Sequence, residues 1–257
     1  MSGSRSDGSR VPVLGRSEAA TTREQLMRPG YWLAPLRRTS RAALAVLWAV
    51  AAFFILLSFA PSSTARSLVP ALDRNFPAET WGLSLDRAVP ELYGYAMQAV
   101  IVVLLVILAV RAHSRVFWAW AALYLLVLLD DSLRLHEEGS HWLARTLPAD
   151  LASRISQGNG ELMVWAVIGL VPLVAVVVNH RRAQEDRAVS RTIAVLFALL
   201  VFCAVVMDAV HEALSFGLFG WLMAVAEDGG ELLTLGLTLA FLVGVVRSWP
   251  AAAGPRA

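Results

Sequence analysis

Lysine is absent from this 257-residue chain, and cysteine occurs once. All 22 basic residues are therefore arginine, a bias typical of a GC-rich bacterial genome. The single Cys203 sits inside an apolar run, so the chain contains neither a disulfide framework nor a thiolate metal site. Ligand chemistry must rest on oxygen and imidazole. Charge is scarce as well: 16% of residues are charged against 57% hydrophobic, and the apolar residues fall in long blocks. That pattern excludes an ordinary soluble domain and points to an all-α, polytopic membrane protein. No nucleic-acid partner is expected; the partner is the lipid bilayer.

The net charge of +2 hides a segregation. Arginine gathers in the N-terminal segment and in alternate loops, whereas half of the 20 acids form four short clusters. Residues 1–41 read as a disordered basic tail ending in a short interfacial anchor at Tyr31-Trp32-Leu33. The apolar run that follows, Ala42 to Ala60, is long for a signal-peptide core and is expected to be a retained first helix. Residues 42–247 form the transmembrane domain, with helices near 42–60, 92–110, 116–138, 160–179, 192–214 and 226–246, and 248–257 form a second tail. Arginines at 111, 115, 181, 182, 187, 191, 247 and 256 fall on the side of the basic tail. By the positive-inside rule both termini are cytoplasmic, in a bacterial inner membrane.

Only Ala42–Ala60 and Leu92–Val110, of 19 residues each, approach the roughly 20 needed to cross about 30 Å of hydrocarbon. Val116–Leu129, Leu162–Val178, Thr192–Met207 and Leu232–Val246 are shorter, at 14, 17, 16 and 15 residues. Each has arginine at one end and an acidic or histidine-bearing cluster at the other, so the missing length must come from the cluster. At 1.5 Å per residue, Asp131 lies about 24 Å from Arg115, Glu161 about 28 Å from His180, and Asp208 and Glu231 about 26 and 24 Å from Arg191 and Arg247. Four helices thus deliver carboxylates and imidazoles to one layer near the outer edge of the membrane. The competing possibility, that the helices end a turn earlier and leave these acids in solvated loops, fits the short runs and matched depths less well. His113 and His180, beside arginine at the other boundary, read as solvated.

Two ligand registers follow from the spacing. In the first, Glu138 and His141 stand at i, i+3, as do Asp208 and His211, and Glu161 and Glu231 complete the set. This inventory matches the carboxylate–histidine di-iron bundles, with one Asp in place of a Glu and the helix order permuted. In the second, Leu135-His136-Glu137 with Gly160-Glu161-Leu162 repeats as Val210-His211-Glu212 with Gly230-Glu231-Leu232. It proposes His136, Glu137, Glu161, His211, Glu212 and Glu231 about a pseudo-twofold axis along the membrane normal. Both registers share Glu161, His211 and Glu231. The third to sixth helices would build the site, with the first two packed outside.

The LDDSLRLHEE stretch with the later EDGGELL resembles a group of uncharacterised bacterial multi-pass membrane proteins carrying an LDE-x-x-x-LHE type motif. The resemblance covers the last four helices and implies no activity. Ser132-x-x-x-His136 with Asp130 is also similar, in site type, to the membrane hydrolases that include alkaline ceramidases and progestin/adiponectin receptors. That resemblance implies zinc held by histidines, but their terminal His-x-x-x-His helix is replaced here by Glu227, Asp228 and Glu231.

Ten acids in a partly dehydrated layer must bind cations or protons. Carboxylate and imidazole ligands suit divalent Zn, Fe or Mn better than Ca. The expected function is a metal-dependent enzyme acting on a lipid or lipophilic substrate, either a hydrolase or a di-iron oxidoreductase. Glu137 or Glu212 would be its general base. The alternative is a proton- or cation-coupled transporter, weakened by the scarcity of polar residues in the cytoplasmic half. A bis-His haem on His136 and His211 is a third reading.

Overall fold

The computed structural model describes residues 41–59, 89–148, 157–183, 186–213 and 217–249. The basic tail and most of the second tail expected from the sequence lie outside these. The described residues are helical and contain no strand. Helix α1 spans Arg41–Phe59, α2 Val89–Ala112, α3 Arg115–Leu133, α4 Leu135–Thr146 and α5 Gln157–Arg182. Helix α6, Arg187–Val201, runs into a π-helical segment, Phe202–Met207, and then α7, Asp208–Ala213; α8 covers Gly217–Ser248. Five of the continuous helical stretches are long and apolar enough to cross a membrane, which fits a polytopic membrane protein in a lipid bilayer. Alpha-helices suit that solvent because they satisfy their own backbone polar groups.

The third crossing stops short of the 138 expected from its pattern. Arg134 adopts a left-handed conformation, φ 54 and ψ 44, and divides α3 from the amphipathic α4. For a residue with a Cβ this conformation is unfavourable, so the surroundings must compensate it. The Arg134 N–H caps α3 on the Asp130 carbonyl, and the Arg134 carbonyl accepts the Glu138 N–H at 3.0 Å. Its guanidinium bonds Glu137, with Nε donating to Oε1 at 2.7 Å. Asp130, wholly buried, accepts the His136 N–H at 2.9 Å, satisfying a donor that the first turn of α4 cannot pair internally. The break is thus built by hydrogen bonds on both sides.

Helix α8 is the hub, packed against α1, α2, α6, the π segment and α7, while α3 lies between α2 and α5. Helix α2, expected outside the site bundle, belongs to the core: Ile101, Leu105 and Leu108 are fully buried. Of the first two helices, α1 is the one that packs on the bundle from outside, against α8. Its Leu47 and Trp48 reach the α8 backbone because Gly236 has no side chain; a Cβ there would stand 3.3 Å from Trp48 Cδ1. Between membrane helices such close approach matters more than hydrophobicity, since lipid is as apolar as the core. At the arginine-rich end, the Trp120 indole N–H donates to Ser190 Oγ at 2.8 Å, and His180 Nδ1 lies 2.8 Å from the same oxygen. His180, expected to be solvated, therefore joins α5 to α3 and α6. His113 is exposed, in the left-handed turn that joins α2 to α3.

Helix α4 meets α5 at Gly139, where a Cβ would lie 2.8 Å from Val164 Cγ1. The β-branched valine has little rotamer freedom with which to yield. Gly139→Ala should therefore destabilise the protein by about 1–3 kcal/mol, the usual cost of overpacking. Adding Val164→Ala should restore most of that loss. Thermal unfolding in detergent checks both, and equal midpoints for Gly139→Ala and wild type would show that the two helices are not in this contact.

Candidate functional site

Where α2, α3, α4, α5, α6, α7 and α8 converge, a partly open cavity of about 600 Å³ is lined by an unusual density of acids. Glu91 comes from α2, Asp131 from α3, Glu137 from α4 and Glu161 from α5. Asp208 of α7 and Glu227, Asp228 and Glu231 of α8 complete the ring. Arg134 and His136 are the basic side chains among the described lining residues. Toward the arginine-rich end the lining turns apolar, with Val127, Phe197, Leu200 and Leu235. Behind Phe197, Trp120 and Tyr124 are buried with ring centroids 5.8 and 5.5 Å from it, an aromatic plug under the cavity floor.

His136 is held from one side. Its Nδ1 lies 2.8 Å from Asp130 Oδ2 while its backbone N–H occupies Oδ1 of the same carboxyl group. The remaining nitrogen, Nε2, is 3.9 Å from Glu137 Oε1. Fixing one imidazole nitrogen with a carboxylate sets the tautomer and orients the other, the arrangement seen around metal-bound histidines. The Asp130 hydrogen bond raises the His136 pKa above its ordinary value; burial opposes it, and the charges of Asp130, Glu161 and Glu137 add to the rise.

The opposite wall was not legible as part of the site. Gln98 donates from Nε2 to Asp131 Oδ2 at 2.6 Å, and the Tyr95 hydroxyl contacts both the Glu91 carboxylate and the Asp131 carbonyl, the latter at 2.9 Å. Glu91, Tyr95 and Gln98 stand at i, i+4 and i+7, one face of a helix. That spacing, with a lone amide in an apolar run, was the available signal.

Of the residues proposed from the sequence, the structure brings His136, Glu137, Glu161, Asp208 and Glu231 to the cavity. Glu138 and His141 are exposed and do not line it. The physical reason is the break at Arg134, which ends the helical face on which they were aligned with Asp131. Residues 211 and 212 are helical, and the side chains of His211 and Glu212 lie outside the described residues. Ser132, which carries the hydrolase likeness, faces its own helix, its Oγ 3.5 Å from the Leu129 carbonyl, and does not line the cavity. Among the described residues, no three His, Cys, Asp or Glu side chains stand close enough together to hold a metal ion.

The π segment borders the cavity through Ala204 and Val205 and immediately precedes Asp208. Its wider turn shifts the phase of everything after it, and such segments recur at functional sites. Cys203 within it packs on Gly230 of α8, where a Cβ would come within 2.7 Å of the sulfur.

Because the folded His136 pKa is raised, the protonated form favours the fold. In metal-free protein its contribution is complete below about pH 6.5, the ordinary histidine value, and is lost as pH rises through the elevated folded value. Asp130→Asn keeps an acceptor for the His136 N–H but removes the charge. Its cost in thermal stability should be larger at about pH 5.5 than at about pH 9, and the His136 titration followed by NMR should move down. A pH-independent cost would exclude the ion pair.

No curated protein and no solved structure matches the chain. A family model described as a domain of unknown function, DUF8692, matches residues 42–245. The match runs from the start of α1 to the last turns of α8 and takes in every element that lines the cavity. The chain belongs to that family.

Proposed function

We propose that this is a bacterial inner-membrane enzyme of six crossings, α1 being the sixth, with both termini cytoplasmic and a divalent transition metal bound in the acidic cavity on the extracytoplasmic side. Its substrate is a lipid or lipophilic molecule. The observation that carries this reading is His136, fixed through Nδ1 by buried Asp130 with Nε2 beside Glu137 in a ring of carboxylates. So many acids facing one another in a poorly hydrated space are costly without cations, and their oxygen and imidazole donors suit Zn, Mn or Fe. The candidate ligands are His136 and Glu161 on one wall and Asp208 and Glu231 on the other, which do not stand close enough here to share an ion and would have to draw together around it; His211 is the candidate second imidazole.

Hydrolysis is favoured over di-iron oxidation because Glu138 and His141, half of the di-iron inventory, are not in the cavity. The metal would lower the pKa of a bound water. Glu137, beside His136 and steadied by Arg134, would take the proton. The floor speaks against the transporter: Phe197, Trp120 and Tyr124 fill the route toward the arginine-rich end.

Protein purified without chelators should hold about one equivalent of metal, and removing a ligand should cost at least the roughly 10–100-fold typical of outer-shell changes. Elemental analysis should find the metal lost from His136→Ala, Glu161→Gln and His211→Ala and retained by Glu138→Gln and His141→Ala. Less than about a tenth of an equivalent in wild type would end the metal reading. Retention by His136→Ala with loss from Glu138→Gln and His141→Ala would return the site to the other register, and retention by Glu161→Gln and His211→Ala, which remove ligands common to both, would end both registers.

A further inference from the structure

Helices α5 and α6 are joined at the arginine-rich end and then take different partners. At the joined end His180 Nδ1 meets Ser190 Oγ at 2.8 Å, and Arg187 donates from Nη2 to the Arg181 carbonyl at 2.6 Å. Beyond it α5 packs along α3 and α4, while α6 and its π segment pack on α8, so α5 and α6 have little contact with each other. Each carries an irregularity on the way, Pro172 in α5 and the π turn after α6, and these are the usual places for a helix to bend.

The mouth of the cavity lies in this seam. Among the described lining residues, the exposed ones are Asn159 and Leu162 of α5 and Ala204, Asp208 and Ala209 from the π segment and α7; the others are buried or half-buried. Leu162 and Ala204 belong to the apolar spans Gly158–Arg182 and Arg187–Val210. At 1.5 Å per residue, Leu162 lies about 27 Å from His180 and Ala204 about 20 Å from Arg191. The opening therefore faces the bilayer, and the medium against its lower rim is acyl chain. That rim is apolar, through Leu162, Val201, Ala204 and Val205, whereas one turn nearer the headgroups stand the polar Asn159 and Asp208. The gradient is that of a lipid, chain below and head above.

We propose that the seam between α5 and the π segment is a lateral entrance that admits one acyl chain of a bilayer lipid from the leaflet on the cavity's side. The chain passes between Leu162 and Ala204 and lies against Phe197, Leu200 and Leu235, with the polar head beside Asn159 and Asp208. The inference rests on the reading of the cavity as a substrate site and names the part of the substrate that enters through the membrane. The small side chain of Ala204 keeps the rim open, and an indole in its place would fill it.

The test uses full-length protein in phosphatidylcholine nanodiscs doped with a diacylglycerol that carries a diazirine midway along one chain. Its head is neutral, so the acids neither attract nor repel it. After irradiation, peptide mapping should find saturable labelling of Phe197, Leu200 or Leu235, all buried residues that a probe reaches only from inside. Ala204→Trp and Leu162→Trp fill the rim from opposite sides, and each should lower that labelling at least about tenfold. Val167→Trp, on the exposed face of α5 and outside the cavity lining, should leave it unchanged. All three positions are exposed, so the thermal midpoints should stay near that of wild type.

Labels confined to outward residues such as Val167 and Val171, or interior labelling that survives both rim variants, overturn the proposal. So does a dimer in native mass spectrometry with no interior labelling, because a second copy of the chain would then cover the seam. Metal content of the same samples keeps the entrance apart from the metalloenzyme. Interior labelling of metal-free wild type leaves the entrance standing without the metal, whereas bound metal with outward labels alone does the reverse.

Discussion

The bond between Asp130 and His136 is what the acidic side of the molecule depends on. A carboxyl group wholly buried at the end of a membrane helix is unfavourable unless its oxygens are used, and here both are, one by a backbone N–H and one by the imidazole of the same residue. The clamp therefore fixes three things together: the end of α3, the start of α4 and the direction of the histidine ring. It also lets Arg134 occupy its left-handed conformation, since capping bonds on both sides hold the turn closed. With that turn in place, His136 and Glu137 line the cavity and Glu138 and His141 do not.

Much of this was legible in the sequence. Helix positions followed from apolar runs bounded by arginine, and the depth count placed Asp131, Glu161, Asp208 and Glu231 in one layer because the rise of a helix is fixed by its hydrogen bonds. Which of the pairs His136-Glu137 and Glu138-His141 would line the cavity was beyond it, because that turns on the backbone conformation at Arg134, which nothing in its residue type announces. The first two helices were set aside because they are long enough to cross unaided. That reasoning measured length and ignored the face, so Glu91, Tyr95 and Gln98 went unnoticed on α2. Asp130 was similarly overshadowed by Asp131, since only a tertiary hydrogen bond tells the two apart.

The two stretches paired as a repeat in the sequence differ in structure. The first enters the cavity through a break and a short amphipathic helix, α4. The second stays nearly continuous and absorbs its phase change in the π segment before Asp208. Two different backbone irregularities thus bring acids from two crossings to one space. The break at Arg134 falls just past the span Arg115–Leu133, whereas the π segment lies inside the span Arg187–Val210, where a π turn still pairs its own backbone groups.

Helix α5 carries Glu161 on one side, while its most apolar stretch is only 11% buried within the protein, with Val167 and Val171 among the most exposed residues. A wall supported from behind by acyl chains takes its position partly from them. Thickening or stiffening the surrounding lipid changes the tilt that best matches such a helix, at fractions of a kcal/mol per Å. The width of the cavity at Glu161 is thereby tied to the mechanical state of the bilayer, which makes the membrane a component of the site as well as its surroundings.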